Sequence, residues 1–134
     1  MSPTKQDQQL KNISILVVDD EQDTGEILST FFTRYGATVR TAPNAREAYK
    51  AIQERQPTVI ICDIAMPEEN GIDFLRNLRN RATDQSEQIP AIAITAHTLD
   101  VHNWQAFCSG YLAYPPKPLN LPELLDTVIR LTWH

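Results

Sequence analysis

Apolar residues along the chain follow two different rhythms. Short continuous runs rich in Val and Ile occur at Ile13 to Val18, Thr58 to Cys62 and Ala91 to Ile94. Runs of this length and composition read as strands buried on both faces. Between them, apolar residues recur three and four apart, as one face of a helix requires. Ile27, Leu28, Phe31, Phe32 and Tyr35 predict a first helix from about Gln22 to Tyr35, with Gly36 at its C-terminal cap. A second helix starts near Asn44 and carries Ala45, Ala48, Tyr49 and Ile52, and Pro57 follows its end. A third begins near Gly71 with Ile72, Leu75 and Leu78; the polar stretch from Asn80 to Gln88 reads as loop. A fourth spans about Leu99 to Ser109 and stops at Gly110. A fifth follows the N-cap Asn120 with Leu121, Leu124, Leu125, Val128 and Leu131; Pro122 is tolerated in its first turn. Two briefer strands, about Thr38 to Thr41 and Leu112 to Tyr114, complete the alternation.

Strand and helix thus alternate from Ile13 to the end. Such alternation implies an α/β fold: a parallel sheet covered by helices on both faces and joined by right-handed crossovers. The expected architecture is a doubly wound, five-stranded parallel sheet of order 2-1-3-4-5. Met1 to Asn12 is polar and reads as a flexible tail, leaving residues 13–134 as one domain. No repeat, linker or low-complexity segment divides it.

Composition narrows the possibilities. The chain has 134 residues, 42% of them hydrophobic and 22% charged, as expected of a soluble globular domain. Its net charge of −5 argues against a nucleic-acid-binding face. It contains no bilayer-spanning apolar stretch and no signal-peptide core, so neither membrane nor export is expected and the location is cytoplasmic by default. Cys62 and Cys108 suit a reducing compartment and lack partners at metal-ligand spacing.

The chemistry lies where the strands end. Asp19 and Asp20 follow the first strand, Asp63 ends the third, Thr95 ends the fourth and Lys117 follows the fifth. In an open parallel sheet, ligands bind outside the carboxyl ends of the strands at the switch in strand order. That switch lies between the first and third strands. Asp19 alone would fit a helix cap equally well. Three acids sharing one crevice repel one another and need a cation, and hard oxygen donors suit Mg²⁺. An Asp carboxylate beside Mg²⁺, a hydroxyl and a lysine ammonium can accept a phosphoryl group as an acyl phosphate.

The chain resembles the receiver domains of two-component response regulators. The resemblance rests on Val17-Val18-Asp19-Asp20-Glu21, on Asp63-Ile64-Ala65-Met66-Pro67-Glu68-Glu69-Asn70-Gly71, on Ile94-Thr95-Ala96, and on Gly110 through Tyr114 to Lys117-Pro118. It covers nearly everything from Ile13 to Leu131. It implies a single-domain, flavodoxin-like (βα)5 fold similar to CheY and a regulatory role, with catalysis limited to the domain's own phosphorylation and dephosphorylation. Asp63 would be the phosphoacceptor. Asp20 would bind the metal directly, Asp19 from the outer shell, and Ala65 through its backbone carbonyl. Thr95 would be the switch hydroxyl, Lys117 the phosphoryl contact and Tyr114 the switch aromatic. The implied donor is a histidine kinase or a histidine phosphotransfer protein, with output by protein contact or phosphorelay.

Ala65 and His97 are the positions expected to govern the lifetime of the phosphorylated state. Phe107, Tyr111 and Tyr114 form an expected partner surface, since exposed aromatics anchor interfaces. Only Thr132-Trp133-His134 follows the fifth helix's apolar stripe, so a stand-alone domain is expected, with a fragment of a hybrid kinase as the alternative. A pseudo-receiver that never carries phosphate is a further alternative. A flavin-binding domain is disfavoured because Asp19-Asp20-Glu21 replaces a phosphate loop. A haloacid-dehalogenase-type phosphohydrolase is disfavoured because Glu21 and Asp23 stand where that motif needs other residues.

Overall fold

The computed structural model describes residues 8–66, 68–81, 89–94, 111 and 120–132. Within them, four strands and four helices follow in order: β1 (Ser14–Val18), α1 (Gln22–Thr33), β2 (Thr38–Ala42), α2 (Ala45–Glu54), β3 (Val59–Asp63), α3 (Gly71–Arg81), β4 (Ala91–Ile94) and α4 (Leu121–Thr132). The expected helix over 99–109 and strand over 112–114 lie outside the described residues. The strands form one parallel sheet of order β2-β1-β3-β4, the flavodoxin-like arrangement as far as the described strands extend.

The strands read as unbroken apolar runs because both faces of the sheet are covered. Successive side chains point to opposite faces, so each strand divides its residues by twos. Ile15, Val17, Val59, Ile61, Ile92 and Ile94 pack with Leu28 and Phe32 of α1 and Leu124, Leu125 and Val128 of α4. Leu16, Val18, Ile60, Cys62, Ala91 and Ala93 face the other way, onto Ala45, Ala48 and Ile52 of α2 and Phe74, Leu75 and Leu78 of α3. Three helices begin at asparagine caps. Asn44, Asn70 and Asn120 accept at Oδ1 from the N–H of Glu47, Asp73 and Glu123 at 2.9, 2.9 and 3.0 Å.

Several expectations are corrected. Ile27 is 56% exposed; the buried row of α1 is Gly25, Leu28 and Phe32. Glycine carries no hydrophobic signal, yet Gly25 lies where a Cβ would come within 3.1 Å of the Thr41 methyl. In α3 the buried residues are Gly71, Phe74, Leu75 and Leu78, with Ile72 only partly covered, and the helix runs through Asn80 to Arg81. β2 extends to Ala42 and β3 to Asp63.

The N-terminal segment also departs from a simple tail. Leu10 is fully buried among Ile13, Phe32 and Tyr35. Its N–H donates to Tyr35 O at 2.8 Å, and its carbonyl accepts from Ile13 at 3.0 Å. Asn12, at φ 68°, takes the left-handed conformation that turns the chain into β1. Leu10 is therefore expected to be part of the folding unit. Leu10→Ala should lower stability by about 2–5 kcal/mol in urea unfolding. A loose tail would leave it unchanged.

Candidate functional site

Strand register assembles the acids. Val18 pairs with Cys62 and with Ala42, so Asp19 and Asp63, each the next residue, stand level at neighbouring strand ends. Asp63 also pairs with Ile94, which puts the end of β4 at the same level. One oxygen from each of Asp19, Asp20 and Asp63 lies within 4.8 Å of the others. Asp19 and Asp63 are buried, and Asp20 is exposed.

The surrounding backbone aims these carboxylates. Asp19 N–H donates to Ala42 O at 3.0 Å, and Asp19 Oδ1 accepts from Glu21 N–H at 2.8 Å. Asp63 Oδ1 accepts from Ala65 N–H at 3.0 Å. Gly71 allows α3 to start hard against β3. A Cβ there would sit 2.8 Å from both Asp63 O and Ile64 Cα, and Gly71 N–H donates to Ile64 O at 2.9 Å. In the sequence Gly71 marks a helix start and closes the Asp63-to-Gly71 segment, but close approach of two backbones leaves no mark on periodicity. A cleft of about 730 Å³ opens beside the acids, lined among others by Asp19, Asp20, Glu21, Gly25, Thr41 and Pro43.

Burial, with the neighbouring charges adding to it, changes the proton affinity of the site. Burial pushes the Asp19 carboxyl from its ordinary 3.8 up to about 6; the Glu21 N–H opposes this, and the charges of Asp63, Asp20 and Glu21 add to it. Burial likewise pushes the Cys62 thiol up to about 12, against a side-chain contact with Tyr111 and with Asp63 and Asp19 adding to the rise. Cys62 is accordingly a protonated core residue rather than a nucleophile.

Other expected site residues fall as follows. The side chain of Ala65 is exposed, and its N–H holds Asp63. Thr95, His97, Phe107, Tyr114 and Lys117 lie outside the described residues. Tyr111 does not belong to an exposed aromatic surface. It is 5% exposed, packs in the core with Cys62 and Phe74, and donates its hydroxyl to Gly71 O. That internal acceptor lets the phenol be buried without an orphaned polar group.

The chemistry of the donor set fits a hard divalent cation. All three groups are carboxylates, they converge, and Asp19 is poorly stable as a bare anion.

Comparison with known proteins places this site in a family. The response regulator receiver domain model matches residues 15–129, and the chain belongs to that family. It is 36% identical over 121 residues to an uncharacterized 14.6 kDa protein from the sodA1 3′ region of Leptolyngbya boryana, covering 90% of this chain and 91% of that one. It is 35% identical over 119 residues to the response regulator Rre1 of Synechocystis, covering 88% of this chain but only 50% of that protein. Among solved structures, chemotaxis protein CheY4 of Vibrio cholerae superposes with a TM-score of 0.78 at 28% identity, over 89% of this chain and 98% of that one. The response regulator TrrA of Thermotoga maritima, in complex with Mg(2+)-BeF, gives 0.77 at 28% identity with the same coverage of 89% and 98%. The protein is a response regulator receiver domain of two-component signalling, a regulatory module, and no described helix is long and apolar enough to cross a membrane.

The raised proton affinity of Asp19 gives a pH prediction. The folded chain holds this proton more tightly than the unfolded one. Without metal, the group's contribution to stability is greatest below about pH 4 and falls away as pH rises through about 6. A cation must displace the proton. Mg²⁺ affinity measured by calorimetry should therefore rise between about pH 5 and 7 and level off above. Affinity that is flat across that interval would contradict the assignment.

Proposed function

We propose that this receiver accepts a phosphoryl group on Asp63 in a Mg²⁺-dependent reaction. The observation that carries the reading is the convergence of Asp19, Asp20 and Asp63 at the carboxyl ends of β1 and β3. Asp20, exposed at the mouth, would ligate the cation directly, with Asp63 and the Ala65 carbonyl; Asp19 would act from the outer shell. Bound Mg²⁺ supplies neutralisation of the charge that the acids share with incoming phosphoryl oxygens.

Everything else is done by the chain. The Ala65 N–H holds Asp63 Oδ1 and so orients the carboxylate. An Asp63 oxygen attacks phosphorus; the N–P bond of a phosphohistidine breaks as the O–P bond of an acyl phosphate forms, and the histidine ring leaves with the electron pair. By resemblance, Lys117 contacts the phosphoryl group, Thr95 donates its hydroxyl, and Tyr114 follows Thr95 in shifting a two-state surface.

The donor in this reading is a histidine kinase or histidine phosphotransfer protein. The receiver domain passes the signal by protein contact or onward phosphotransfer, without nucleic acid or membrane, in the cytoplasm. The chain covers 91% of the Leptolyngbya protein and half of Rre1.

Incubation with acetyl phosphate and Mg²⁺ followed by mass spectrometry tests the proposal. Wild type should gain one phosphoryl mass, abolished by EDTA and by Asp63→Asn. Unlabelled wild type would point to a phosphate-independent binding module, and labelling that survives Asp63→Asn would move the acceptor elsewhere.

A further inference from the structure

The loop between β3 and α3 carries the backbone that orients Asp63, and it is fastened at both ends. Near its start, Ile64 N–H donates to Ile94 O at 2.9 Å, and Met66 is buried. At its end, Asn70 caps α3 and Gly71 N–H returns to Ile64 O. Between these points stands Glu69. Its Oε2 accepts from the Tyr49 hydroxyl of α2, and from Asn77 Nδ2 of α3 at 3.3 Å. The Tyr49 ring packs on Phe74 with centroids 5.2 Å apart, and its hydroxyl also lies 3.4 Å from Phe74 O. The ion pairs found among the described residues, Lys50 with Glu47 and Arg76 with Asp73, do not involve Glu69. A half-buried carboxylate held by two neutral donors from two helices is located by directional contacts, unlike an exposed ion pair.

We propose that Tyr49, Glu69 and Asn77 form a clamp that positions the site loop for metal binding and phosphoryl transfer. The proposal rests on the phosphoacceptor reading above. Ala65 N–H holds Asp63 at 3.0 Å, so a displaced loop is a displaced carboxylate. The residue before Glu69 also needs support. Glu68 sits at φ 67°, a left-handed conformation that a glutamate adopts only when its surroundings impose it. The clamp grips the adjacent residue and ties it to both α2 and α3. Tyr49 and Asn77 would act through the loop and are positioning residues.

The test uses the full chain with Tyr49→Phe, Glu69→Gln, Glu69→Ala and the Tyr49→Phe/Glu69→Ala double variant. Hydrogen exchange of amides 64–66 and 68–70 without metal reads loop order. Calorimetry reads the Mg²⁺ Kd, and acetyl phosphate labelling reads the reaction. Tyr49→Phe should speed loop exchange and weaken Mg²⁺ about tenfold, with slower labelling at subsaturating Mg²⁺. Glu69→Gln keeps an oxygen acceptor for both donors and should stay near wild type. Adding Tyr49→Phe to Glu69→Ala should not speed loop exchange further.

Unchanged loop exchange in Tyr49→Phe would overturn the clamp. Faster exchange with unaltered Kd and labelling would make it a structural brace and overturn the positioning role. Glu69→Gln behaving like Glu69→Ala, with Tyr49→Phe neutral, would assign the effect to charge instead. A wild type that binds no Mg²⁺ removes the underlying phosphoacceptor reading, an outcome separate from failure of the clamp because loop exchange is read without metal.

Discussion

Asp19 and Asp63 stand at neighbouring strand ends because Val18 pairs with Cys62, and strand register fixes that backbone placement. A slip by one residue would turn every apolar side chain of a strand to the opposite face. The hydrophobic core therefore enforces a repulsion that the acids would relieve if they could. Most of what surrounds the site is a consequence of holding that repulsion in place.

Among the described residues, part of the relief comes from backbone N–H groups. Asp19 takes the Glu21 N–H just before α1, and Asp63 takes the Ala65 N–H just after β3. Each of these carboxylates thus takes a backbone donor, while one oxygen of each lies within 4.8 Å of the other acids. Burial first, and the charges of Asp63, Asp20 and Glu21 after it, raise the Asp19 pKa to about 6. A cation is the natural complement, and an arriving phosphoryl group would share it. Gly71 serves the same end from below. The missing side chain lets α3 begin against the carbonyl of Asp63, so the strand end carrying the acceptor is packed rather than loose.

Much of this was legible in the sequence, for physical reasons that differ from element to element. β4 was readable residue for residue, since Ala91 to Ile94 is a short apolar run opened by Pro90 and closed by Thr95. The caps Asn44 and Asn120 announced α2 and α4 because the preference for Asn there is local. The acids were readable because they interrupt apolar strands at their carboxyl ends. Leu10 was not readable: a single leucine among polar residues gains its burial from Phe32 and Tyr35, which only the fold brings near. Ile27 misled because hydrophobicity does not state which side of a helix meets the sheet, while the true stripe ran through Gly25. Tyr111 misled in the opposite sense, since spacing next to Gly110 could not show that Gly71 O waits inside as its acceptor. The Tyr49–Glu69 contact was likewise invisible, because it spans 20 residues and joins side chains with no shared periodicity.

The central claim is that Asp19, Asp20 and Asp63 together create one cation site. Anomalous diffraction from crystals grown with Mn²⁺ in place of Mg²⁺ tests it without relying on activity. The account predicts a single strong peak within about 2–2.5 Å of Asp20 and Asp63 oxygens, with Asp19 close behind. No peak among these carboxylates, or a peak only elsewhere on the chain, would contradict it.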